Sequence, residues 1–255
     1  MLLALDTGNS DITVGLWNGK AWIHVWRFPS KSDQPELFYG IKIRDSFFES
    51  NASVNEVDTI VLSSVVPGLT DKLKSVIEVV FNKQPIIIGP AVYPKLSIEV
   101  INPYEIGSDL VANAVAAYDY YKKGCIVVDF GTALTFTTIS DEGKILGVSI
   151  TPGLKTAIKS LTQNTAKLFD VPLEMPKSAL GTSTITAIQS GILFGYSGLV
   201  QSMVNELRRE IKQASPAIAT GGLSSIILPL HDFFDHIEPN LTLNGLRIVG
   251  ETIKN

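Results

Sequence analysis

Short apolar runs broken by tight turns open the chain. Residues 2–6, 11–17 and 21–28 alternate or run apolar and are rich in β-branched and aromatic side chains, which predicts three strands. Pro29-Ser30 ends that unit, and a helix is predicted over 34–49. Thr59-Ile60-Val61-Leu62-Ser63-Ser64-Val65-Val66 reads as a buried strand stopped by Pro67-Gly68. Over 70–82, Leu73, Val76, Ile77 and Val80 recur at helical spacing, and Pro85-Ile86-Ile87-Ile88 is a further short strand. The first half is therefore β-β-β-α-β-α-β.

A helix is predicted from Ser108 to Tyr121, with Val111, Ala114, Val115 and Tyr118 on one face. Three more strands follow at 125–129, 134–139 and 144–150, then a Thr151-Pro152-Gly153 turn and a helix over 154–162. A long helix runs from about Thr184 to Lys212, interrupted by Gly191 and Gly195. Residues 216–220 form a strand ending in Gly221-Gly222, and a last helix covers 240–252. No low-complexity segment or long linker divides the chain. The boundary is expected near 110–124, giving halves 1–115 and 116–255.

The pattern repeats. Leu3-Ala4-Leu5-Asp6-Thr7-Gly8-Asn9-Ser10 is an apolar strand that ends in Asp-x-Gly, and Ile126-Val127-Val128-Asp129-Phe130-Gly131-Thr132-Ala133 is a second copy. Each leads into another strand and then a Gly-Lys turn, Gly19-Lys20 and Gly143-Lys144. The two acids are 129 − 6 = 123 positions apart, close to half of the 255 residues. A duplicated strand–turn–strand with an acid at each turn predicts two related α/β halves facing one cleft, whose natural occupant is a nucleotide phosphate chain.

Each motif has a plainer alternative. In Asp6-Thr7-Gly8-Asn9-Ser10 the glycine would allow a sharp turn with positive φ, and successive N–H groups would form an anion-binding concavity. Asp6 would hold Mg²⁺, directly or through water. The alternative is an ordinary hairpin of turn-forming residues, but a hairpin has no reason to recur with its acid in place. In the second copy Thr132 can hydrogen-bond a phosphate oxygen and Asp129 adds a carboxylate. Two acids beside polyphosphate require cations to neutralise them. The glycines of Ala219-Thr220-Gly221-Gly222 would admit adenine or ribose, or form a plain strand-to-helix turn. Gly107-Ser108-Asp109 reads as a helix cap or as a carboxylate presented as general base to a substrate hydroxyl.

Composition narrows the picture. The chain is 45% hydrophobic and 18% charged, with a net charge of −4, which argues against nucleic acid as the main partner. No apolar run reaches a membrane span, and a cytoplasmic location is expected. Cys125 is the only cysteine and reads as a buried packing residue, so no disulfide or thiolate metal site is expected. His24, His231 and His236 lack zinc spacing. P-loop, G-x-G-x-x-G and H-E-x-x-H motifs are absent.

Taken together, these residues resemble the acetate kinase, sugar kinase and actin superfamily, and within it the type III pantothenate kinases, from about residue 2 to 252. The resemblance rests on Asp6 to Ser10, Ser64-Val65-Val66-Pro67, Asn102-Pro103 with Gly107-Ser108-Asp109, and Asp129 to Thr135. It continues through Pro152-Gly153-Leu154, Thr165-Ala166-Lys167-Leu168, the 183–191 helix start, Ala219 to Gly222 and Leu241 to Leu246. It implies duplicated actin-like (ribonuclease H-like) halves, mixed β-sheets flanked by helices. It also implies ATP-dependent phosphorylation of pantothenate, the first step of coenzyme A synthesis, by a homodimer whose substrate pocket lies near the interface.

By the same resemblance Asp109 matches the general base. Asp6, Thr7, Gly8, Asn9, Ser10, Asp11, Ile12 and Thr13 match the ATP phosphate segment, with Thr132, Gly221 and Gly222 as further ATP contacts. Asp129 matches the ligand of a required monovalent cation, K⁺ or NH₄⁺. Thr184 and the 107–110 segment match the acceptor site. Two positions depart: Leu110 stands where the family usually has a pantothenate-binding Arg, and Val100 where it has a Tyr. Tyr93, Lys95 or Tyr104 could rebuild that pocket. A kinase for another small hydroxyl acceptor, or a non-catalytic ATP-binding accessory or regulatory paralogue, are the competing readings. The presence of Asp109 disfavours the latter.

Overall fold

The computed structural model describes residues 1–164, 169–212 and 214–254. The Thr165-to-Leu168 segment named above lies outside them. The chain forms two compact units, Met1–Tyr120 with Leu241–Asn255, and Tyr121–Asn240.

In the first unit, β1 (Leu2–Thr7), β2 (Asp11–Trp17), β3 (Trp22–Pro29), β4 (Thr59–Ser64) and β5 (Ile86–Ile87) form one sheet in the order β3-β2-β1-β4-β5. β1 to β3 are antiparallel neighbours, whereas β4 and β5 run parallel to β1. Side chains alternate across a strand, and the sequence uses both faces. Leu3, Leu5, Ile12, Val14, Leu16, Ile60 and Leu62 pack on α1 (Glu36–Glu49) and α2 (Pro67–Phe81) through Tyr39, Ile43, Phe47, Leu69, Leu73 and Ile77. The other face meets α6 (Leu241–Lys254): Gly250 abuts Leu2 and Val61, and Leu243 reaches Gly15. α3 (Ser108–Tyr121) lies against α6, where Thr242 Oγ1 donates to the buried Asn113 Oδ1 at 2.8 Å.

The second unit repeats the plan. β6 (Cys125–Phe130), β7 (Ala133–Ile139), β8 (Ile145–Pro152), β9 (Ala217–Thr220) and β10 (His236–Ile237) are ordered β10-β9-β6-β7-β8. Read from its other edge, this is the order of the first sheet with β6 in the place of β1. Ile126, Val128, Phe130, Leu134, Phe136, Ala217 and Ala219 bury one face with Leu193, Val200 and Val204 of α5 (Thr184–Glu210) and Leu154 of α4 (Leu154–Gln163). Cys125 is buried in its strand, and burial pushes its thiol up to about 12.

Several expectations differ from the structure. The strand expected over 59–66 stops at Ser64, and α2 begins at Pro67, because proline at a helix start forfeits no hydrogen bond. α5 runs unbroken through Gly191 and Gly195, where the packing of its own Leu193, Val200 and Val204 on the second sheet outweighs glycine's poor propensity. β10 carries too short a pattern to be seen in the sequence. The last helix, expected within a 116–255 half, packs on β1, β2 and β4 of the first unit. Its apolar stripe of Leu243, Leu246 and Val249 completes that unit's core.

Gly245 is where α6 touches α3: a Cβ there would collide with the Ala112 carbonyl. Gly245→Ala is expected to cost about 1–3 kcal/mol by overpacking. Gly191 has open space around its Cβ position, so Gly191→Ala should be neutral or stabilising by up to about 1 kcal/mol. Denaturant melts of the two variants check this contrast.

Candidate active site

The two acids occupy equivalent places. Asp6 sits near the end of β1, with Thr13 of β2 and Ser63 of β4 as its register partners. Asp129 sits near the end of β6, flanked by Thr135 of β7 and Thr220 of β9. Register partners project from the same sheet face, so each unit sets a carboxylate between two hydroxyl side chains. The loops beyond are closed alike: Gly8 N donates to Asp11 O at 3.0 Å and Gly131 N to Ala133 O at 3.1 Å. The first loop is one residue longer.

Neither Gly8 nor Gly131 has the positive φ expected from the sequence; Gly19, Gly143 and Gly221 do. Gly19 and Gly143 make the second turn of each repeat. Space is tight only at Gly131, where a Cβ would press on Ala133 O at 3.3 Å; at Gly8 it would just touch Asp11 O at 3.4 Å. Gly221, at φ 90°, packs directly on Asp129. A Cβ there would overlap Asp129 Oδ1 and the Phe130 backbone. Ser224 Oγ donates to Gly221 O at 2.9 Å and closes the turn that contains Gly222.

The second loop is clamped from one side. Gly153 N and Thr156 Oγ1 both donate to Thr132 O, at 3.0 and 2.7 Å, and Tyr196 O–H donates to Pro152 O at 2.7 Å. Asp129, Gly131, Thr132, Thr220 and Gly221 thus form one constellation within the second unit. Among the described residues, the buried Thr135 and Thr220 hydroxyls have no hydrogen-bond partner. Buried polar atoms left this way call for a ligand or water, and an all-oxygen set around a carboxylate suits a hard cation.

In the first unit, Ser30 Oγ donates to Gly8 O at 2.6 Å and Ser30 N to Ser10 O at 2.9 Å, which braces the loop. The 6–13 segment divides: Asp6 and Thr13 share a face, whereas Thr7 and Ile12 point into the opposite, fully buried side. Asn9, Ser10 and Asp11 are exposed.

Asp109 lies in the first turn of α3, two residues past Gly107, whose lack of a side chain leaves room for Asp109 Oδ1. Ser63 and Ser108 share a buried hydrogen bond of 2.9 Å. That bond ties the start of α3 to the strand beside Asp6, bringing Asp109 and the first acid loop together in one unit. Burial pushes the Asp109 carboxyl above the usual carboxylate range, against the opposing pull of the Leu110 N–H, which donates to Oδ1 at 2.8 Å. Leu110 itself is buried, 8% exposed. A cavity of about 460 Å³ lies nearby in the chain, lined by residues between Pro90 and Pro103 that include Val100 and Tyr93. Tyr104 is 88% exposed and Lys95 is exposed. Thr184 is an exposed residue at the start of α5 in the other unit, after a capping box of Ser183 and Thr186.

Sequence reasoning did not single out Ser63, Thr135 or the Ser30 brace. Their signal was register, which a single sequence shows only weakly. Among the described residues, no helix is long and apolar enough to cross a membrane.

Two sheets of this order, each with an acid near the end of its first strand, make this an actin-like α/β fold. Solved structures share the fold: a Campylobacter jejuni protein described as a Baf family transcriptional activator (TM-score 0.60, 20% identity, 99% of each chain covered) and MreB 5 of Spiroplasma citri bound to AMPPNP (TM-score 0.52, 14% identity, 99% and 96% covered). The chain belongs to the type III pantothenate kinase family, whose model matches residues 2–206. Type III pantothenate kinases of Syntrophobacter fumaroxidans (40% identical, 100% of this chain and 99% of the relative) and of an Exiguobacterium species (38%, 98% of each) align along essentially its full length.

Proposed function

We propose that this protein transfers the γ-phosphoryl group of ATP to the primary hydroxyl of pantothenate, giving 4'-phosphopantothenate for coenzyme A synthesis. The observation that carries the chemistry is Asp109: a half-buried carboxylate at a helix start, tethered through the buried Ser108 and Ser63 to the strand beside the first acid loop. A base within reach of the acceptor hydroxyl takes its proton as the oxygen attacks phosphorus. A carboxyl raised by burial holds that proton more readily than an exposed one.

The loops at Asp6–Thr13 and 129–132 are assigned to the phosphates, with Gly221 and Gly222 toward the nucleoside. The small glycines and the hydroxyl-flanked carboxylates fit that role. Asp6 would hold Mg²⁺, directly or through water. Asp129, with Thr135 and Thr220, would hold K⁺ or NH₄⁺. Bound cations supply neutralisation of the phosphate charge, and Mg²⁺ keeps waters and phosphate oxygens as its other ligands. Val100, Gly107, Ser108, Leu110 and Thr184 are assigned to the acceptor side, in a cytoplasmic homodimer with no nucleic-acid or membrane partner. A coupled assay of ADP release tests the function: release that depends on pantothenate, and a product of the mass of phosphopantothenate, are expected. ADP release with other small alcohols but none with pantothenate would leave a kinase of another acceptor.

A further inference from the structure

Tyr93 opens a short 3₁₀ turn, Tyr93–Lys95, and is 5% exposed. Its ring lines the 90–103 cavity together with Val100, Ile98 and Pro103. Burial, and next the negative charge of Asp109, push its phenol above the ordinary range. The cavity wall thus joins Tyr93 to Val100, a position assigned to the acceptor side. Among the described residues, none hydrogen-bonds its hydroxyl, and the hydroxyl oxygen is not sealed from solvent. A phenol that packs its ring but leaves its O–H open is placed to bind something that enters. Of the three residues that could rebuild the acceptor pocket, Tyr104 and Lys95 point to solvent by their exposure. The lining adds Glu99 and no cationic side chain among the described residues.

We propose that Tyr93 is a specificity-determining residue of the acceptor site, whose hydroxyl donates a hydrogen bond to an oxygen of the acceptor bound in that cavity. The proposal rests on the pantothenate kinase reading. In this protein the phenol comes from position 93, seven residues before Val100, and reaches the site from the cavity wall.

Tyr93→Phe keeps the ring and removes only the hydroxyl. The expected result is a pantothenate KM raised about three- to ten-fold. The KM for ATP and the midpoint of the kcat–pH profile should stay fixed, and the melting temperature should change little. An unchanged pantothenate KM overturns the proposal. So does a shifted pH midpoint with KM unchanged, which would make Tyr93 a modulator of Asp109 rather than a contact. Should the parent neither bind pantothenate by calorimetry nor phosphorylate it, the functional reading fails and takes this proposal with it. An active parent with an unaffected Phe variant removes the Tyr93 contact alone.

Discussion

Asp109→Asn is expected to lower kcat by about 10²–10⁴-fold, the range a positioned general base contributes, while ATP affinity changes little. The asparagine oxygen can still accept from the Leu110 N–H that Asp109 Oδ1 accepts now, so the start of α3 should stay in place. What is lost is the basic site for the acceptor proton. Positioning and charge stabilisation remain and set the residual rate. Stability separates this role from helix capping. Burial raises the Asp109 carboxyl, so the folded chain binds that proton more tightly than the unfolded chain does. The stability linked to the proton is fully present below the unfolded pKa and is lost as pH rises through the folded one. At neutral pH the ionised group is therefore a cost, and the Asn variant should melt no lower than the parent. In the parent, kcat should fall on the acid side with a midpoint above the ordinary carboxylate range, and the variant should lack that limb. Turnover within a few-fold of the parent, together with a lower melting temperature, would leave Asp109 as a cap.

Asp129→Ala is expected to abolish most activity, about 10²-fold or more by comparison with loss of one preorganised charge-stabilising group. The response to K⁺ or NH₄⁺ should disappear with it. The carboxylate sits between Thr135 and Thr220, with Gly221 against it. Alanine would leave those two buried hydroxyls around an empty position. Rates of parent and variant in potassium, ammonium and sodium buffers read the effect, and melting temperatures show that the unit is still folded. A parent equally active in sodium alone would remove the monovalent cation from the proposal. In that case Asp129 would remain a candidate ligand for Mg²⁺ or a partner of Thr220 and Gly221.

The duplication was legible in the sequence because it is local. A strand, an acid, a glycine and a second strand lie within about fifteen residues, and the spacing of apolar positions carries them. The Gly-Lys turns were legible for the same reason, and both glycines adopt the left-handed conformation. Asp109 was visible as an acid at a helix start, where the local pattern by itself favours a cap over a base. What favours the base is partial burial and the Ser63–Ser108 bond, which joins residues 45 positions apart in the chain.

The sequence by itself determined the repeat, most of the strands and helices, and the family. Tertiary structure decided the rest. It placed α6 in the first unit, because an amphipathic helix at the end of a chain buries its stripe wherever an open sheet face remains. It sent Thr7 and Ile12 into the core and kept Asp6 with Thr13, because side chains alternate across a strand and only pairing fixes which face is buried. It set Thr135 and Thr220 on either side of Asp129, and it put Tyr93, but neither Lys95 nor Tyr104, in the wall of the 90–103 cavity. Those choices rest on register and burial, which arise only when distant segments meet.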